Sequence, residues 1–593
     1  MAKRTGKPLP PRAPSGPQAS AGLAVSPRRA QEVAALFQLG LQLQQRGHLQ
    51  EAQALYERVL RLHPSHFDAL HLLGVIAALS NAPERALQLL DAAISVNPAC
   101  APAYSNRGNV LQALGRLEEA LASFDRAISL EPKYTDAHFN RGNTLKQLGR
   151  LEEAVASYDQ AIAIHAGHAP AWSNRGDALQ QLMRLEDAVV SYTQAISAQP
   201  DYAEAHNNLG VGLRELNRPA EALARCEAAI ACRPDFAQAH SNRGIALQEL
   251  HRLDEAVASY DRAISLQPDF AGAHHNKALA LLLAGRYEEG WPLYEWRWKN
   301  PDSGLSPRFP DYPLWLGDCD LTGKTILLHS EQGLGDTLQF CRYASLVAQR
   351  GARVLLEVQP ALAGLLRGLA GVSEVLRAGD ALPPFDLHCP LMSLPLAFGT
   401  TLHTIPAAEG YLNCSTDKLQ AWRERLGPRT QPRVGLVWSG NPAYKADSRR
   451  SLPLEQLLQH LPEGIEYVSL QKDVRERDLP ALSTSRLRHF GAEHQDFADS
   501  AALCELVDVV VSVDTSGAHL AAALGRPTWL LLPHTPDWRW LLKREDSPWY
   551  ESMRLFRQGV EREWGPVLAR LSERLVAHQV AAAKGTGSRT DGE

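Results

Sequence analysis

Three short segments in the second half of the sequence carry groups able to hold an anion and move a proton. In Glu331-Gln332-Gly333-Leu334-Gly335-Asp336-Thr337, Gly333 and Gly335 let the backbone come close to a ligand, and Asp336 stands where a carboxylate could face an incoming hydroxyl. The helical pattern from Leu338 to Gln349 follows at once, and a helix start favours negative charge, although the same position suits an ordinary N-cap for Asp336. The string lacks the third glycine of a dinucleotide fingerprint and the lysine of a P-loop, which disfavours a dehydrogenase or an ATPase. The second segment, Asp514-Thr515-Ser516-Gly517-Ala518-His519, runs from an apolar strand into a helix. Its successive N–H groups, two hydroxyls and glycine suit a diphosphate cradle with His519 one turn inside; the structural alternative is that Asp514 caps and His519 packs. The third, Ser439-Gly440-Asn441-Pro442-Ala443-Tyr444-Lys445 followed by Arg449-Arg450-Ser451, offers Lys445 as a point charge and the arginines as bidentate donors to a leaving diphosphate, or else is a solvated basic loop.

Such groups need strands to hold them. Short β-rich runs alternate with helical patterns at Thr325 to Ser330, Val354 to Val358, Asp386 to Cys389, Val434 to Trp438, Tyr467 to Leu470, Val507 to Val513 and Thr528 to Leu532. Alternation of this kind predicts parallel sheets with crossover helices, whose ligands bind beyond the carboxyl ends of the strands. All three segments lie directly after such runs. The spacing predicts two such α/β halves, 323–415 and 432–580, joined by a linker at 416–431 and followed by an unstructured tail at 581–593. His534, Asp537 and Arg539 follow a strand and are plausible cleft residues, whereas Trp529, Trp538, Trp540 and Trp549 read mainly as core. Asp318-Cys319-Asp320 has a D-x-D pattern but lies in the Pro- and Gly-rich connector 299–322, and reads as surface rather than as a metal site.

The first half is repetitive. Pro64, Pro98, Pro132, Pro200, Pro234 and Pro268 fall on one ladder of step 34, with Ala166 on the missing rung; Gly40 to Gly244 and Ala52 to Ala256 form two more. Each unit reads as a helical hairpin: in Ala101 to Pro132, Gly115 separates two apolar helical patterns. One hairpin cannot bury its own faces, so about eight units over 33–298 should stack into a superhelix with a long groove. These ladders resemble the tetratricopeptide repeat, which implies a surface for protein or peptide. Asn106, Asn140, Asn174, Asn208, Asn242 and Asn276 recur two residues before the small residue of each repeat. An amide suits a peptide backbone, donating and accepting without regard to side chain, or it bridges neighbouring helices. The pattern is similar to the asparagine ladder of O-GlcNAc transferases, where it holds extended protein substrate.

The pairing of Gly335-Asp336 with the Asp514 to His519 string resembles the ADP-heptose:lipopolysaccharide heptosyltransferase family over roughly residues 323 to 560. That resemblance implies a GT-B fold of two facing Rossmann-like domains and metal-independent sugar transfer. It implies Asp336 as general base on the acceptor and Asp514, Thr515, Gly517 and His519 on the nucleotide-sugar phosphates, with Ser516 inserted relative to the strict spacing. Asn441 and Lys445 resemble the asparagine and phosphate-binding lysine of O-GlcNAc transferases, whose order of repeats followed by a GT-B domain the chain shares. The whole resembles a bacterial tetratricopeptide-repeat glycosyltransferase, an α superhelix joined to an α/β pair. The implied reaction is an inverting transfer from a nucleotide sugar, a co-substrate rather than a cofactor, to a polypeptide held in the groove. The alternatives are a surface-glycan acceptor with the repeats docking a partner, and a scaffold without catalysis.

Length and composition set outer limits. At 593 residues the chain is about four typical domains of roughly 150, which excludes a single core. With 61 Lys and Arg against 66 Asp and Glu, there is no counterion-release drive toward nucleic acid or an anionic bilayer. Apolar runs such as Ala278 to Ala284 fall far short of the ~20 residues that cross a membrane. Residues 1–32 read as a basic, Pro-rich disordered tail without a signal-peptide core, and the eight scattered cysteines suggest neither zinc nor disulfides, so a reducing cytoplasm is the expected compartment.

Overall fold

A computed structural model describes residues 27–406, 410–443 and 447–587. The chain divides into two compact units, up to Asn242 and from Arg243 onward. The first is a stack of helical hairpins from Pro27 onward. The turns between hairpins follow from proline: the residue before it is driven out of the α region, so His63, Asn97, Glu131 and Gln199 end their helices near φ −140° and ψ 90°. His165 adopts the same conformation before Ala166, so the missing proline leaves the turn intact. At the later turns the exposed carbonyl is satisfied from within the next helix: His138 and His206 meet the oxygens of Pro132 and Pro200 at 3.0 Å, and Trp172 Nε1 donates to Ala166 at 2.9 Å.

Inside most hairpins the ladder glycine makes room for an aromatic ring; Gly74 and Gly210 face Leu90 and Cys226 instead. A Cβ on Gly108, Gly142 or Gly176 would lie 2.7, 2.6 or 2.5 Å from Phe124, Tyr158 or Tyr192. Gly142→Ala should therefore destabilise the repeats by about 1–3 kcal/mol, read as an earlier urea transition. Neighbouring hairpins are clipped by arginine. Arg107, Arg141 and Arg175 each donate at 2.6 Å from Nε to Asp91, Asp125 and Asp159, and from Nη1 to Ser123, Ser157 and Ser191.

The second unit begins with the last repeat helices and continues into two parallel sheets. In the four-stranded sheet β1 (Thr325–His329) lies between β2 (Arg353–Val358) and β4 (Leu387–Pro390), with β3 (Glu374–Arg377) outside β2. In the five-stranded sheet β5 (Arg433–Val437) lies between β6 (Glu466–Ser469) and β7 (Val509–Val513), with β8 (Thr528–Leu532) and β9 (Met553–Arg557) beyond. β4, β5, β7 and β8 are buried along their whole length, as strands covered on both faces must be. Both sheets reverse strand order, the first at β1 and the second at β5, and a crevice opens at such a switch point.

Several expected boundaries move. The helix Pro27–Gln45 begins inside the expected 1–32 tail, because Pro27 suits a first helical position while its exposed first turn carries no apolar period. The final helix Gly565–Gly587 likewise continues past 581. The expected linker 416–431 is largely a helix, Thr416–Leu426, whose Lys418 and Trp422 bond Asp499 at 2.7 and 2.8 Å. The repeats do not end as a separate body at 298. Tyr287, Trp291 and Tyr294 lie in one core with residues of both sheets, and Trp291 Nε1 donates to the Thr400 carbonyl at 2.9 Å. β3 and β9 escaped the strand reading. No helix among the described residues is long and apolar enough to cross a membrane.

Candidate functional site

The two switch points face one cleft of about 1380 Å³ in the second unit. From the first sheet it receives Gly333, Gly335 and Asp336; from the second, Asn441 after β5 and Asp514, Thr515, Ser516, Gly517 and His519 after β7. The expected site residues therefore converge, except Lys445, which lies outside the described residues, and the asparagine ladder, which belongs to the repeats.

The two halves meet tightly at Gly335, where an added Cβ would lie 2.9 Å from His519 Cδ2. Gly335→Ala should force the loops apart, costing about 1–3 kcal/mol and most of any cleft activity, measurable as a lowered melting temperature and turnover. Asp336 is not the N-cap but the third residue of Leu334–Phe340: its Oδ2 accepts from Gly333 N–H at 2.8 Å, while Oδ1 pairs with Arg539. Burial raises the Asp336 carboxyl above the ordinary aspartate range, with Arg539 pulling it down and Asp537 adding to the rise. The carboxylate thus keeps basicity while its direction is fixed. Arg539, in turn, donates to Gln339 Oε1 at 2.5 Å and Asp537 Oδ1 at 2.9 Å, so one guanidinium from the second half orients the acid of the first.

The opposite wall is built to present donors. Thr515 opens the helix Ser516–Ala523 in an extended conformation and no side chain caps it, so the leading amides are available to an anion. Asp514 is turned away from this role: its carbonyl accepts from Arg450 Nη1 at 2.6 Å, its Oδ2 accepts from Trp540 Nε1 at 2.9 Å, and burial raises it to about 6. His519 is held neutral, well below its usual value, by burial and by Arg539, Arg342 and Arg450; its Nδ1 meets Tyr550 OH at 2.9 Å. Asn441 Oδ1 accepts from Ala443 N–H at 3.0 Å, and a Cβ on Gly440 would lie 2.5 Å from Arg450 Nη2 and 2.7 Å from Asp447 Oδ1, so a larger residue would displace that pair.

Residues absent from the sequence reading fill out the site. Gln471 bonds Ser439 Oγ at 2.5 Å, and Arg475 donates to the Gly440 carbonyl at 2.8 Å and pairs with Asp447. Each stands on a strand-end loop, the one signal that pointed to them. Asp318 and Asp320 accept only from their own turns, at Leu316 N–H and at Thr322. In the repeats, Asn106 meets His71 at 2.8 Å, Asn174 donates to Asn143 at 2.8 Å, Asn208 to Asp177 at 3.0 Å and Asn242 to Asn207 at 2.8 Å. These ladder amides bridge to the preceding repeat.

Comparison with known proteins supports the repeats. Family models described as TPR or tetratricopeptide repeat match residues 37–104, 108–149, 142–182, 173–236 and 237–270, and the first half carries tetratricopeptide repeats. The chain is 28% identical over 319 residues to Protein FlbA of Caulobacter vibrioides, covering 49% of this chain and 52% of FlbA. It thus spans about half the length of that curated relative. Among solved structures, YrrB, titled a TPR protein with an unusual peptide-binding site, is 27% identical across 32% of this chain and 98% of its own, with a TM-score of 0.29. The MamA protein is 22% identical across 30% of this chain and 96% of its own, with a TM-score of 0.28.

Proposed function

We propose that the two-sheet region is a GT-B glycosyltransferase that moves a sugar from a nucleoside-diphosphate donor to a polypeptide bound by the repeats. The observation that carries this reading is the meeting of an acid-bearing glycine loop and an uncapped helix start, each from a different sheet, across the Gly335–His519 contact. The cleft volume admits a nucleotide sugar.

In this reading Arg539 holds the Asp336 carboxylate toward the acceptor. The acceptor hydroxyl passes its proton to Asp336 as its oxygen bonds the anomeric carbon from the face opposite the diphosphate. The bond from that carbon to the diphosphate oxygen breaks, its electron pair leaves with the nucleoside diphosphate, and configuration inverts. Charge developing on the diphosphate is met by the Thr515 to Gly517 amides and by Lys445. The neutral His519 adds no charge there and closes the wall against Gly335. The repeats supply the acceptor side, as tetratricopeptide surfaces suit peptide.

Incubation of the purified chain with labelled nucleotide sugars and cell extract tests the proposal. Label is expected in polypeptide. Label only in lipid or free glycan rejects the protein acceptor, and no transfer from any donor rejects the enzyme in favour of a scaffold.

A further inference from the structure

Where the helix Ala237–Glu249 turns into Leu253–Leu266, a repeat element touches two loops that line the cleft. Glu249 Oε1 accepts from Arg449 Nη1 at 2.9 Å, and the Glu249 carbonyl accepts from Arg562 Nη2 at 3.1 Å and Thr535 Oγ1 at 3.4 Å. Two residues on, His251 Nε2 donates to the His534 carbonyl at 2.9 Å, and the two rings stack with centroids 4.1 Å apart. Arg449 and Thr535 face the cleft from the loops after β5 and β8, so one turn of the repeats holds both.

This turn is not built as the others are. Its left-handed position is filled in equivalent turns by Gly47, Gly115, Gly149 and Gly285, or by Asn81 and Asn217, the residues that adopt positive φ most readily. Met183 departs from that rule with an exposed side chain; His251 departs from it at φ 60° with its ring committed to His534. Attachment alone does not explain a charged contact here. Tyr287 and Trp291 already join the repeats to Trp538 and Trp549 through apolar rings, and burying a carboxylate carries a desolvation penalty that such packing avoids. The Glu249 side chain is only 7% exposed, yet its partner is a cation on the cleft wall that keeps 31% of its side chain exposed.

We propose that Glu249 is a positioning residue of the donor cleft: it fixes the Arg449 guanidinium in advance, so that a nucleoside diphosphate meets an arginine already in place. The inference rests on the nucleotide-sugar reading of the cleft. An unanchored arginine loses rotamer freedom when it binds an anion, and anchoring removes that loss before the ligand arrives. The terminal repeats then act in donor binding as well as in holding an acceptor.

Titration calorimetry of the full chain and its variants with ADP, UDP and GDP tests this. Glu249→Ala should weaken binding about tenfold, whereas Glu249→Gln, which retains the Oε1 acceptor, should stay within about threefold. Arg449→Ala should lose at least as much as Glu249→Ala, and the double variant no more than Arg449→Ala alone, a coupling that a purely structural defect would not give. In turnover assays the Glu249→Ala effect should fall on KM for the donor and leave kcat within about twofold. Unchanged or tighter binding by Glu249→Ala, or additive losses in the double variant, overturns the positioning role while leaving the cleft reading intact. If the parent chain binds none of the three diphosphates, the cleft reading fails and the positioning role falls with it. Should Glu249→Ala not fold, Arg449→Ala and Glu249→Gln carry the test: full affinity in Arg449→Ala, or loss in Glu249→Gln as large as in Arg449→Ala, contradicts it.

Discussion

Asp336→Asn should lower turnover by about 10²–10⁴-fold while leaving affinity for nucleoside diphosphate within about threefold, the signature of a lost general base. The substitution keeps size and an oxygen acceptor, and Arg539 retains Asp537 at 2.9 Å, so the loop has partners to hold its shape. What disappears is the carboxylate that links Gly333 to Arg539. Donor phosphates sit on the other wall in this mechanism, and removing a negative charge does not weaken their binding. Single-turnover rates and calorimetry on the same preparation check both halves of the expectation. Equal, mild losses in rate and affinity would mean that Asp336 only braces the loop.

A comparably large effect is expected from where the repeats are cut. A chain beginning at Asp235, which keeps helix Ala237–Glu249 whole, should fold and bind nucleoside diphosphate. A chain beginning at Lys299 should not fold. The second cut removes Tyr287 and Trp291 from the core, each worth about 3–5 kcal/mol by the usual cost of deleting a buried aromatic. It also removes Arg297, whose Nη2 donates at 3.1 Å to Glu331, a carboxyl that burial raises to about 7. Losing that cation adds to the deficit, and the two aromatics alone already reach the range of an ordinary domain's whole stability, about 5–15 kcal/mol. Circular dichroism and melting of the two truncations give the answer. Glycan transfer that survived in the shorter chain would contradict the shared core.

The sequence made the periodic features plain and the non-periodic ones obscure. Ladders at Pro64 to Pro268 and Gly40 to Gly244 are local packing rules repeated, and each rung can be checked against the next. Long apolar runs such as Val509 to Val513 announce a strand covered on both faces. β3 and β9 did not, because Glu374 and Arg377, or Arg554 and Arg557, break the run at positions a sheet edge tolerates. The glycine loops were legible because their chemistry is written in consecutive residues. Arg539 holding Asp336 was not, since the pair lies 203 residues apart and only the docking of two sheets brings it together. Nor was the division at residue 242, because the 34-residue period runs through it unchanged. Whether a repeat belongs with its predecessor or with the sheets is decided by outward side chains such as Glu249, His251 and Trp291, on which the period places no constraint.

Thermal denaturation of the full chain with ADP, UDP, GDP and their sugars bears most directly on the cleft. At least one nucleotide should raise the melting temperature, by mass action on the folded state, and Lys445→Ala should remove most of that rise. No shift with any of them, or a shift of equal size in Lys445→Ala, would contradict a diphosphate seated between the loops of Asp336 and His519.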